Sequence, residues 1–145
     1  MKTSTHYKYI EWRNQSGLYD DIVVSISELK FLQDELHFLK DLVAEDTLEL
    51  IYDITHEKAA RIAVALRGYD KRVKRLLKEM QAHANNIQVL IDDIDVPNEL
   101  KEYKNTHYNL MVSTMDLHAD VKKTKRAIFK MLAEIMKKSK QKRLQ

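Results

Sequence analysis

From residue 48 onward the apolar positions recur at alternating spacings of three and four. The first run passes through Leu48, Tyr52, Thr55, Ala59, Ile62, Leu66, Tyr69, Val73, Leu76, Met80, His83, Ile87, Leu90 and Ile94. After Pro97 the rhythm resumes at Leu100 and continues through Tyr103, His107, Leu110, Thr114, Leu117, Val121, Thr124, Ile128, Met131, Ile135 and Lys138. A stripe that repeats every 3.5 residues for this long keeps facing a partner only on long helices packed along a seam. A shorter stripe precedes it: Leu18, Ile22, Ser25, Leu29, Leu32, Leu36, Leu39 and Val43. Val24, Phe31 and Phe38 widen that stripe, which predicts a first helix covered on more than one side.

These stripes predict an all-α bundle of three long antiparallel helices, at about 18–45, 48–94 and 98–139. An N-terminal segment, 1–17, precedes the single bundle domain of 18–139, and a basic tail, 140–145, follows it. Asp46-Thr47-Leu48-Glu49 has the form of a capping box, which predicts a turn at about 45–47. Asp95-Val96-Pro97-Asn98 supplies the second turn, because proline suits a first helical turn and not an interior. Gly68 falls on the outer face of the second helix, at a cost of about 1 kcal/mol relative to alanine.

Helix lengths carry a further expectation. At 1.5 Å per residue the three helices measure roughly 42, 70 and 63 Å. Folded back at residue 46, the first helix reaches only to about residue 73 of the second. The far end of the hairpin is then a two-helix tip bearing an extra apolar column of Leu77, Ala84, Ile91 and Met111. An exposed column of that kind marks an interface. A second copy of the chain is the expected occupant, with the aromatic segment Tyr7-Lys8-Tyr9-Ile10-Glu11-Trp12 as the alternative.

Composition agrees with a helical protein: two glycines and one proline among 145 residues. Zero cysteines exclude a disulfide, a thiolate metal site and a cysteine nucleophile. No apolar run approaches the roughly 18 residues of a membrane span, and no secretory signal opens the chain, so a cytoplasmic location is expected. The net charge of +3 conceals an asymmetry. Residues 20–57 hold 11 acidic side chains against Lys30 and Lys40, whereas residues 104–143 hold 11 basic ones against three acidic. An acidic first helix lying beside basic ones accounts for much of this. Glu28 and Glu35, flanked by apolar residues, are expected to meet the basic face of residues 58–78.

Several polar groups fall inside the seam. His83 and His107 stand about one core layer apart in the hairpin register, with Glu79 one turn before His83 and Asn86 within reach. Inward histidines and carboxylates on facing helices are how a bundle assembles a metal site, so His83, His107 and Glu79 are the metal candidates. The bundle-type Glu-x-x-His pair is absent, and polar core histidines that set register explain the same residues. Thr55, Thr114 and Thr124 can bond to their own helix backbone, and Tyr52, Tyr69 and Tyr103 can pack their rings and carry the hydroxyl to an edge.

His37-Phe38-Leu39-Lys40 resembles the His-x-Leu-Lys core of histidine phosphotransfer domains, which implies a phosphorylatable histidine on a bundle. The resemblance covers four residues, and Asp41 stands where those domains place glycine. His56-Glu57 is similar to the start of a histidine-kinase phosphoacceptor helix, without the proline that follows there. Glycine-rich phosphate loops, His-Glu-x-x-His and Gly-x-Ser-x-Gly are missing, so no enzyme activity, cofactor or catalytic residue is expected. Two basic clusters, Lys71-Arg72-Val73-Lys74-Arg75 and Lys122-Lys123-Thr124-Lys125-Arg126, become neighbours in the hairpin. With the tail they offer sequence-blind phosphate contacts to a nucleic acid. The expected function is therefore a non-enzymatic interaction or scaffolding protein that self-associates through the helix-two/helix-three tip, or binds another helical protein. Nucleic-acid association and a metal- or cofactor-binding bundle are the alternatives.

Overall fold

The structure, a computed structural model, describes residues 10, 14–49, 55–92 and 97–144. Three helices account for nearly all of them: α1 (Gln15–Glu49), α2 (Thr55–Asp92) and α3 (Pro97–Leu144). There is no strand among the described residues, and the helices pack into an all-α bundle. The α1–α2 contact is the most extensive and the α1–α3 contact the least.

Each predicted seam forms the core. Leu18, Ile22, Leu29, Leu36 and Leu39 of α1 meet Leu66, Val73, Met80 and Ile87 of α2 and Leu117, Val121 and Ile128 of α3 in one buried cluster. Asn14 caps α1: the Gly17 amide donates to Asn14 Oδ1 at 2.7 Å, and the Leu18 amide to the Asn14 carbonyl at 2.9 Å. This satisfies donors that a helix N-terminus otherwise leaves open. α2 runs unbroken through Gly68, which faces open space.

The first turn differs from expectation. α1 continues through the capping-box residues Asp46 and Thr47 as far as Glu49, and α2 starts only at Thr55. A cap contributes about 1 kcal/mol and competes with continued helix, which Leu48 and Glu49 support by propensity. Moving the turn by about six residues slides α1 along α2 by about twelve, or roughly 18 Å. With 35 residues against 38, α1 is nearly as long as α2. Among the described residues, α1 therefore covers most of the stretch expected to be a two-helix tip. Asp21 lies beside His107 and Ser25 beside Met111, both deep in the region expected to be uncovered.

Three residues of the extra apolar column pack partly against the core of their own chain. Leu77 and Ala84 are partly buried against the core, and the Ser25 hydroxyl donates to Met111 Sδ at 3.5 Å. The Ile91 side chain lies outside the described residues. Of the aromatic N-terminal segment only Ile10 is described, and it is buried. Tyr52 also lies outside them, as do the side chains of Thr55 and His56 and, with Lys142 and Arg143, part of the basic tail.

Candidate interaction surface and buried histidine cluster

The antiparallel α2/α3 seam brings His83 and His107 into direct contact, Nε2 of His83 lying 3.0 Å from Nδ1 of His107. Asp21 of α1 approaches the far side of His107, Oδ2 lying 3.5 Å from Nε2. That carboxylate favours a hydrogen on His107 Nε2, which leaves Nδ1 to accept the Nε2 hydrogen of His83. The Tyr103 ring stacks flat on His83 at a centroid distance of 3.8 Å, and its hydroxyl donates to the His83 carbonyl at 2.9 Å. The result is a polar layer that ties all three helices at one level. Burial, reinforced by the neighbouring His107, pushes His83 down to about 3. Burial also raises the Tyr103 hydroxyl above its ordinary value. A group held neutral on α2 beside a carboxylate on α1 can fix register without an unpaired charge in the core.

The sequence identified the two histidines but not their partners. Asp21, and not Glu79, is the carboxylate that reaches His107, while Glu79 is exposed. Among the described residues no group of three or more His, Asp or Glu side chains is placed to hold a metal ion. Other seam polars divide. Thr114 donates to the Leu110 carbonyl at 2.8 Å, as expected, whereas Thr124 shares a 2.7 Å hydrogen bond with the Tyr69 hydroxyl. His37 is exposed on α1.

The charged faces pair differently from expectation. Glu35 meets Lys125 of α3 at 3.1 Å, not the basic stretch 58–78, and Glu28 is exposed. Arg72 pairs with Asp120 at 2.8 Å, and Lys74 with Asp70 at 2.9 Å. Lys71, Arg75, Lys122, Lys123 and Arg126 are exposed.

The pairs Asp21–His107, Ser25–Met111 and Glu35–Lys125 show that α1 and α3 run parallel, residue for residue about 86 to 90 apart. Between them lies a groove with a cavity of about 320 Å³, lined by Val24, Ser25, Glu28, Met111, Met115 and His118 and touched by Ile10. Apolar side chains border it on both walls. Val24, Phe31 and Phe38 on α1 and Met115, Phe129 and Met136 on α3 are between 49% and 72% exposed. Val24, Phe31 and Phe38, expected to be covered, are exposed, because α2 and α3 pack on the side of α1 that carries its buried seam. Spacing carried the signal: 24, 31 and 38 form one heptad column, and 115, 122, 129 and 136 another. The column on α3 went unread because Lys122 interrupts it.

Comparison with protein-family models, with curated proteins and with solved structures finds no match to this chain. Among the described residues no helix is long and apolar enough to cross a membrane.

Proposed function

We propose that this chain is a helical interaction or scaffolding module, cytoplasmic and without chemistry of its own, that offers its α1/α3 face to a helical partner. One observation carries the reading: two heptad columns of large apolar side chains, exposed along both walls of one groove. Scattered exposed apolar residues need no explanation, but a contiguous pair of columns at helical spacing does. Binding energy comes from burying Phe31, Phe38, Phe129 and Met136. Orientation comes from the carboxylates of α1 and the cations of α3.

Phe31→Glu/Phe38→Glu tests the reading, since both positions are exposed and the change leaves the core untouched. The variant is expected to keep its helical circular dichroism and to lose the proteins that wild type captures by cross-linking in cells. An unchanged captured set, with the fold intact, overturns the reading.

Nucleic-acid association is the second reading, supported by the exposure of Lys71, Arg75, Lys122, Lys123 and Arg126. It expects retardation of DNA or RNA that fades steeply between 50 and 200 mM salt. Unchanged mobility at low salt removes it.

A further inference from the structure

We propose that the α1/α3 face packs against the same face of a second copy of this chain, parallel, so that α1 of each protomer lies along α3 of the other. The inference rests on the interaction reading above and names the partner that reading leaves open.

The argument is one of charge and symmetry. On α1 the apolar column is set among carboxylates: Phe31 has Glu28, Asp34 and Glu35 within one turn, and Phe38 has Asp34, Glu35 and Asp41. On α3 the column is set among cations: Lys122 belongs to it, and Lys125 and Arg126 lie one turn before Phe129. The face thus has one acidic wall and one basic wall, with apolar side chains along both. Two copies can close such a face about a two-fold axis in only two ways. An axis across the helices sets α1 against α1 and α3 against α3, opposing like charges along the whole contact. An axis along the helices sets each acidic wall against a basic one.

Register agrees with the second arrangement. Because this axis preserves height, residues that stand level within a protomer also stand level across the dimer. The Glu35–Lys125 pair sets that level, so Phe38 faces Phe129 and Phe31 faces the Lys122 turn. Among the described residues Ile10 enters the groove at its Val24–Met115 end, and Phe31, Phe38, Phe129 and Met136 beyond it are exposed. The stretch from the level of Phe31 to that of Met136 is about 15 residues, or about 23 Å, long and two helices wide, about 20 Å, so about 450 Å² per protomer. Two such faces bury about 900 Å², a small interface to which the opposed charges of the two walls add.

The test is absolute mass by light scattering across a hundredfold range of concentration, read against a chain mass of 17.1 kDa. Wild type is expected at twice that mass. Asp34→Lys/Asp41→Lys alone, and Lys122→Glu/Arg126→Glu alone, are each expected to weaken the dimer at least tenfold. Combining all four changes in one chain is expected to restore it, since α1 is then basic and α3 acidic. These four side chains are exposed, and the Glu35–Lys125 pair is left intact, so folding is not at stake. Failure of the combined variant to re-form the dimer means that like helices meet and overturns the parallel arrangement. A dimer indifferent to both pairs forms elsewhere and also overturns it. Wild type at monomer mass throughout overturns the second copy as partner. The broader interaction reading then stands or falls separately, on whether Phe31→Glu/Phe38→Glu still abolishes cross-linked partners.

Discussion

The fold changes the chemistry of His83 strongly. In the unfolded chain its imidazole titrates near 6.5, and in the bundle near 3, because burial and its neighbour His107 both oppose the cation. Between those values the unfolded state binds a proton that the folded state does not, so stability falls as pH falls. The loss from this one group is about 1.4 kcal/mol per pH unit, beginning near pH 6.5. Urea unfolding at pH 7.0 and 5.0 should therefore show a drop of about 2 kcal/mol. His83→Asn should lower stability at pH 7.0 and abolish most of that slope. An equal slope in the variant would place the titration on another group. Tyr103 acts on the same residue through a neutral bond. Tyr103→Phe leaves the His83 carbonyl without its donor and should cost about 1–3 kcal/mol at neutral pH, measured by the same unfolding.

At the scale of elements, the position of the first turn decides where α1 lies. Ser25 stands beside Met111 because α1 ends at Glu49. A turn at residue 46 would leave these residues roughly 18 Å apart along the bundle. The chain has no cysteine, so Ser25→Cys/Met111→Cys should be joined within one chain by a short bifunctional thiol cross-linker that cannot span about 18 Å, seen as a shift on a denaturing gel. Absence of that cross-link would favour the shorter helix. Gly68 offers a second check on an element. With open space around it and ordinary helical backbone, Gly68→Ala should raise stability by about 1 kcal/mol without altering the bundle. Helix number, the hairpin register and nearly every core residue were readable from the 3.5-residue repeat. That repeat is a direct consequence of seam packing, and it averages over many residues. A turn is signalled by four residues whose preference is weak, and the competing preference for helix won between Asp46 and Glu49. From that one displacement follow the covered tip, the pairing of Glu35 with Lys125, and Asp21 at His107. Periodicity also marks which residues share a face without saying whether anything covers it. Val24, Phe31 and Phe38 were visible as a column, but their exposure depends on where α2 and α3 pack against α1.

At the scale of the whole molecule, the bundle is closed on two sides and open on one. α1–α2 and α2–α3 are well packed, while the parallel α1 and α3 meet less extensively and leave their groove rimmed with exposed apolar side chains. The polar layer of Asp21, His107, His83 and Tyr103 fixes the height of α1 against the hairpin. It thereby also fixes which columns stand level across the groove. Fold and face are coupled in that way: the layer that sets register in the core also aligns Phe38 with Phe129 at the surface. The most direct test is sedimentation velocity of wild type beside Phe31→Glu/Phe38→Glu, at low and high protein concentration. The account predicts that wild type sediments as a dimer, while the variant, equally helical, stays at 17.1 kDa throughout. Equal sedimentation of the two proteins, as monomers or as dimers, would contradict it.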